Sequence, residues 1–346
     1  MSKPILLHLG DDIKWNHELY KQLQSKFTIK RSYSMNRADF SKALKANQFG
    51  DFVAMYRPFW NTGGEMGNWD AELISLLPKS CKIYASAGAG FDWVDTKRLA
   101  ESGIIYCNAA AACTESVADA GIWLILSTFR LFSWSATAAH STSIPAFQDA
   151  NRNIAAVTHN PNNFTLGIIG LGKIGYRIAQ KAHDSFDMKI LYNDIRRMPK
   201  DIEDTISATY FESLDAMLPE ADCVLVATPF AGDKLMDAPH FRKMKKGARL
   251  VNIARGKLID EPALVEALES GQLGAAGLDV HYDEPKVDAK LAGMRNVQLL
   301  AHTAGASIES HIGFERLGME NVIGFLETGK AVTPVNLQWI GEKARL

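Results

Sequence analysis

Short apolar runs alternate with stretches of helical period along almost the whole chain, the pattern of an α/β fold with parallel sheets. The first series predicts strands at Ile5–Leu9 and at residues 52–56, 82–86 and 104–107, with a helix near 15–25. Residues 114–140 read as one long, mostly apolar helix, which belongs in a core or at a subunit interface. A polar loop with Asn160, Pro161, Asn162 and Asn163 as its turn signal then separates the two series. The second predicts strands at Thr165–Ile169, Lys189–Asn193 and residues 223–227, 249–253 and 275–280. Helices near 174–182, 211–218 and 262–270 alternate with these strands, and another at 307–328 follows the series. Pro262 suits the first turn of its helix, where its missing N–H is no loss. Two such series predict two Rossmann-like lobes with a cleft between them.

The 346 residues suit two domains, and 47% hydrophobic against 22% charged residues is ordinary for a globular protein. A formal net charge of −1 predicts no broad nucleic-acid surface and no polybasic membrane surface. Cys81, Cys107, Cys113 and Cys223 are spaced too irregularly for a zinc site, so no metal is expected. Buried thiols in a reducing, cytoplasmic setting fit this usage. The N-terminus lacks a secretory pattern, and the apolar stretch 121–132 is too short to span a bilayer.

Residues 165–175, TLGIIGLGKIG, put Gly170, Gly172 and Gly175 directly after an apolar strand and before a helix. A G-x-G-x-x-G turn in that context gives a tight bend, close backbone approach to a pyrophosphate, and close helix packing. The following helix N-terminus offers free N–H groups to an anion. Asp194 ends the next strand, about 20 residues on, where a carboxylate meets the ribose 2′-hydroxyl of NAD. Taken alone, Asp194 also suits a turn or a helix cap. Arg196 and Arg197 either bind a 2′-phosphate or form a solvated basic turn. NAD(H) is favoured and NADP(H) stays open.

Three further segments follow apolar strands: VNIARGKL at 251–258, GLDVHYDEP at 277–285 and LLAHTAGAS at 299–307. They bring Arg255, Glu284 and His302 to the carboxyl ends of the strands, where open α/β sheets bind ligands. His titrates near operating pH, a carboxylate beside it favours the imidazolium, and Arg matches a carboxylate with a permanently charged fork.

These segments with the glycine turn closely resemble the D-isomer-specific 2-hydroxyacid dehydrogenase family over nearly the whole chain. AGAGFDW at 87–93, LILSTFR at 124–130 and AGLDVH at 276–281 resemble its fungal D-mandelate dehydrogenase type. The resemblance implies a nucleotide-binding lobe, residues 111–305, inserted into a discontinuous substrate lobe of residues 1–110 and 306–346. It implies that Arg255 holds the substrate carboxylate and polarises the keto oxygen, that His302 is the acid/base, and that Glu284 hydrogen-bonds His302. Gly88, Ala89 and Gly90 would offer backbone N–H groups to the substrate. Asp279, Ile253 and Ala254 would line the nicotinamide. Thr114, Lys173, Ile174, Thr228 and Gly305 would complete the cofactor site. Asp119 stands where the family usually has Glu. The implied activity is NAD(P)H-dependent reduction of a 2-keto acid to a D-2-hydroxy acid. Phe59, Trp60 and Trp93 either wall an apolar pocket for bulky substrates or are ordinary core packing, while Arg57 also suits a polar or acidic substrate tail. A glyoxylate or hydroxypyruvate reductase and an NAD-sensing corepressor on the same scaffold are the alternatives. A homodimer through the 114–140 helix and the loop after it is the implied assembly.

Overall fold

The computed structural model describes residues 2–59, 66–230 and 232–341. The chain divides into two units. One comprises the residues up to Cys113 with those from Ala306 onward; the other is Thr114–Gly305.

In the first unit β1 (Ile5–Leu9), β2 (Thr28–Tyr33), β3 (Ala54–Arg57), β4 (Ile83–Ser86) and β5 (Ile105–Cys107) form a parallel sheet in the order β2-β1-β3-β4-β5. β3, β4 and β5 are buried throughout, as a parallel sheet covered on both faces requires. Side chains alternate between two cores. Tyr84 points to one with Phe40, Trp69 and Tyr106; Ile83 and Ala85 point to the other with Leu6, Tyr56 and Met319. Met319 lies on the helix Ile308–Thr328, which returns to this unit from the far end of the chain.

Polar side chains fasten that return. Buried Glu315 accepts from the N–H groups of Lys14 (2.6 Å), Trp15 (3.1 Å) and Asn16 (2.8 Å), just before the helix His17–Lys26. Buried Asn336 accepts from Tyr106 N–H at 2.9 Å and donates to the carbonyls of Thr96 and Ile104.

The second unit holds β6 (Thr165–Ile169), β7 (Lys189–Asn193), β8 (Thr209–Tyr210), β9 (Cys223–Val226), β10 (Ala248–Asn252), β11 (Leu273–Leu278) and β12 (Val297–Leu299). All pairs are parallel, in the order β12-β11-β10-β9-β6-β7-β8. β6 and β9 are adjacent although two strands separate them in sequence, so the order reverses there. Such a switch point is where open α/β sheets bind nucleotides. Cys223 and Leu225 face one core, Val224 and Val226 the other.

The long helix expected over 114–140 is two helices, Thr114–Arg130 and Phe132–His140. Leu131 breaks it with φ 50°, and Gln298 Oε1 accepts the Ser133 N–H at 2.9 Å in the first turn of the second helix. With the turn before it, Ala110–Arg130 is 21 residues with an 18-residue window of mean hydropathy 1.2, long and apolar enough to cross a membrane, contrary to the shorter reading from sequence. Its Leu124, Ile125 and Phe129 are nevertheless fully packed in the second unit's core.

Candidate active site

The three glycines after β6 do three different things. Gly170 has φ +94°, and a Cβ there would lie 2.9 Å from the Thr228 nitrogen, so the turn runs tight against the chain leaving β9. A Cβ on Gly175 would lie 2.2 Å from the Gly170 carbonyl oxygen, which forces the helix Lys173–Phe186 close to the turn. Gly172 faces open space. It precedes a helix whose start carries no side-chain cap, leaving room and N–H donors for an anion. Lys173 is exposed there, while Ile174 packs on the core.

Asp194 lies at the end of β7. Its Oδ2 accepts the Leu171 N–H at 2.8 Å, which ties the carboxylate to the glycine turn. Its Oδ1 faces the Arg196 N–H at 3.4 Å. Arg196 and Arg197 are both exposed, and Arg197 is ion-paired with Glu203 at 2.8 Å.

The loops after β10, β11 and β12 form one corner. Buried Asn252 ends β10, accepts the Ala254 N–H at 2.9 Å and donates to the Arg255 carbonyl at 2.8 Å. The Arg255 guanidinium donates to the Ala254 carbonyl at 2.7 Å and is half-buried. Gly256 follows because the chain is pressed against the next loop: a Cβ there would lie 2.0 Å from the His281 carbonyl. Ile253 is half-buried, its N–H donating to the Val226 carbonyl at 3.3 Å.

Asp279 is 2% exposed, and burial raises its pKa against the pull of His302 and two N–H donors. Oδ1 accepts both, Thr303 N–H at 2.8 Å and Ala304 N–H at 3.0 Å; among the described residues Oδ2 has no donor. A carboxylate oxygen left without a donor can accept from a ligand amide. His302 itself adopts φ 54°, with its N–H on the Asp279 carbonyl at 2.8 Å. That left-handed conformation is uncommon outside glycine and is held here from both sides.

His302 Nδ1 meets Glu284 Oε2 at 2.7 Å, and Glu284 Oε1 accepts the His281 N–H at 2.9 Å. Burial opposes ionisation of Glu284, but these hydrogen bonds outweigh it and hold the carboxyl below its usual range. Both side chains of the dyad are 34% exposed, so it is accessible. His281 is buried, and its Nε2 bonds the Leu300 carbonyl at 2.7 Å, linking the loop of Glu284 to that of His302. Asn252, Gly256 and His281 carry no signal of this role in the sequence, apart from a polar residue closing an apolar strand.

Thr114 and Gly305 are the first and last residues of the second unit. In the first unit, Gly88 has φ 90° and its carbonyl accepts the Ala109 N–H at 2.9 Å; the Ala89 carbonyl accepts from Asn108 at 2.8 Å. Among the described residues the N–H groups of Gly88, Ala89 and Gly90 have no acceptor, the condition for an anion-binding turn. Arg57 ends β3 and lies 4.6 Å over the half-buried Trp93 ring. Phe59 is not a pocket wall: it is 2% exposed, packed against Trp15 and His311. Trp60 lies outside the described residues.

Residues 122–304 match the NAD-binding domain of the D-isomer specific 2-hydroxyacid dehydrogenases. The 4-methyl-2-oxopentanoate reductase A of Aspergillus oryzae is 34% identical over 96% of this chain and 98% of its own length. The crystal structure of holo D-mandelate dehydrogenase from Rhodotorula graminis aligns with TM-score 0.94 at 38% identity, covering 97% of this chain and 98% of that one. A Paecilomyces glyoxylate reductase aligns with TM-score 0.88 at 32% identity, covering 98% of this chain and 100% of that one. Motif order, strand order and whole-length relatives agree: this chain belongs to the D-isomer-specific 2-hydroxyacid dehydrogenase family, NAD(P)-dependent oxidoreductases that interconvert 2-keto and 2-hydroxy acids.

Proposed function

We propose that this enzyme reduces bulky apolar 2-keto acids, such as benzoylformate and branched-chain keto acids, to D-2-hydroxy acids with NADH preferred. The observation that carries the mechanism is the Glu284–His302 hydrogen bond beside the loop that bears Arg255. When bound, the nicotinamide supplies the hydride for the keto carbon. Arg255 pairs with the substrate carboxylate through its planar fork and draws electron density from the keto oxygen. Because Glu284 occupies His302 Nδ1, the proton is delivered from Nε2, and the carboxylate fixes the ring that delivers it. In the reverse direction the neutral ring accepts the hydroxyl proton at the same Nε2. The N–H groups of Gly88, Ala89 and Gly90 help hold the carboxylate.

The cofactor site comprises Thr114, the turn at Gly170, Gly172, Lys173, Ile174 and Gly175, then Asp194, Thr228, Ile253, Ala254, Asp279 and Gly305. Asp194 favours a ribose hydroxyl over a phosphate by charge. The names of the mandelate and 4-methyl-2-oxopentanoate enzymes support an apolar substrate, as does the half-buried Trp93 in the loop after Gly90. Exposed Phe132, Ile144 and Phe147, on the helices Phe132–His140 and Ile144–Asn153, support a homodimer. Four unpaired, buried thiols favour a cytoplasmic setting.

The test compares kcat/KM for benzoylformate, 4-methyl-2-oxopentanoate, pyruvate and glyoxylate with each reduced cofactor, with chiral analysis of the products. D-products and a preference of about 10–200-fold for the bulky acids support the reading. Preference for glyoxylate overturns the substrate size, and higher kcat/KM with NADPH overturns the cofactor choice.

A further inference from the structure

The turn after β7 carries Asp194 and, just beyond it, two cations. Both are exposed, but Arg197 is held in an ion pair. Arg197 donates from Nε and Nη2 to the two carboxylate oxygens of Glu203, at 2.8 and 2.9 Å. Glu203, on the short helix Lys200–Thr205, is 1% exposed although its partner's side chain is 58% exposed. Its Oε1 also accepts the Tyr192 hydroxyl at 2.7 Å, and that hydroxyl accepts the Met198 N–H at 2.8 Å. The Arg197 guanidinium lies 5.7 Å over the Tyr210 ring, whose hydroxyl donates to the Asp194 carbonyl at 3.3 Å. The cation is thus fixed within one residue network with Asp194, yet turned onto a carboxylate from the far side of the turn.

Arg197, then Tyr192, hold the Glu203 carboxyl down to about 2 against burial, so it is ionised at any working pH. Separating the pair would leave a buried carboxylate without its two-point partner, which is strongly unfavourable.

We propose that Glu203 is a specificity-determining residue: by holding Arg197 in a two-point ion pair, it withholds that guanidinium from a 2′-phosphate and selects NADH over NADPH. This rests on the reading of the Asp194 turn as the ribose site. It differs from that reading in assigning selectivity to a residue that never touches the cofactor. Asp194 disfavours the phosphate by charge, while Glu203 removes the group that would offset that charge.

Calorimetric titration with ADP-ribose and with 2′-phospho-ADP-ribose tests it without turnover. In Glu203→Gln the Tyr192 hydroxyl keeps an acceptor but the counter-charge is gone. The expected result is about ten-fold tighter binding of 2′-phospho-ADP-ribose, with ADP-ribose within about two-fold of wild type. Adding Arg197→Ala to that variant should abolish the gain. An unchanged 2′-phospho-ADP-ribose affinity, or a gain that survives loss of Arg197, overturns the proposal. Arg197→Ala alone decides the matter even if Glu203→Gln fails to fold. Wild-type Arg197 should contribute nothing to 2′-phosphate binding, and several-fold weaker binding in that variant contradicts the latch. The ribose reading is judged separately: wild type without a preference for ADP-ribose overturns it before any variant is made.

Discussion

The two sheets follow the same parallel plan and present different groups at their strand ends. In the seven-stranded unit, ionisable side chains lie at the strand ends, and each is held by others. Asn252 fixes the Arg255 loop, Asp279 fixes the turn at His302, and His281 and His302 fix Glu284. In the five-stranded unit, the loop after β4 offers mainly backbone: the Gly88 and Ala89 carbonyls are tied down, and among the described residues the N–H groups of Gly88, Ala89 and Gly90 have no acceptor. Proton transfer needs a side chain whose second nitrogen is fixed, and hence a supporting shell. Binding a carboxylate needs only donors of the right geometry, which backbone supplies without side chains.

The comparison is most easily broken at Gly256. Gly256→Ala forces a methyl into the His281 backbone, 2.0 Å away, so the loops of Arg255 and Glu284 must separate. Expected is a fall of about 100-fold in kcat/KM, since such misplacement of reacting groups costs that much, with the far-ultraviolet circular dichroism retained. Activity within a few-fold of wild type would show that the corner is not tightly coupled.

Glu284→Gln keeps a hydrogen bond to His302 but loses the charge. Reduction should slow about ten-fold, a small part of the general-acid contribution. Single-turnover rates of the variant and wild type check this; an unchanged rate would mean that the Glu284 charge plays no part in the step.

The smallest effect lies in the five-stranded unit and concerns stability. His8 is fully buried, between the Tyr20 hydroxyl at 2.7 Å and the Asp11 carbonyl at 2.9 Å. Burial, with the Arg31 charge adding to it, lowers its pKa from 6.5 to about 3. Between those values the unfolded chain binds a proton that the folded chain refuses, so stability falls as pH drops below 6.5. At pH 5 this group should destabilise the fold by about 2 kcal/mol relative to neutral pH. Urea denaturation at pH 7 and 5 should show a smaller decline in His8→Gln; an equal decline would assign the acid sensitivity elsewhere.

The strands buried on both faces were legible in the sequence, and β1, β6 and β7 have the bounds their apolar runs predict. β2 was not, because its sequence TIKRSY belongs to a sheet edge that is exposed at alternate positions. β8 was missed for brevity, also at an edge, and β12, at the other edge, was implied only as the apolar run before the segment 299–307. The break at Leu131 has no local signal; Gln298, from the segment ending in β12, supplies the bond that starts the next helix. At the site, Arg255, Glu284 and His302 stand out because each follows an apolar run. The residues that hold them do not: Asn252, Gly256 and His281 acquire their contacts only when three loops meet. Arg197 likewise looked like a free cation until the helix carrying Glu203 was placed beside it.

The most direct test of the catalytic corner is single-turnover reduction of a 2-keto acid by His302→Ala, with NADH binding followed by fluorescence on the same sample. Expected is unchanged NADH affinity and a chemical step slower by about 10²–10⁴-fold. A chemical step near the wild-type rate would contradict the assignment of His302 as the proton donor and, with it, the division of labour between the two sheets.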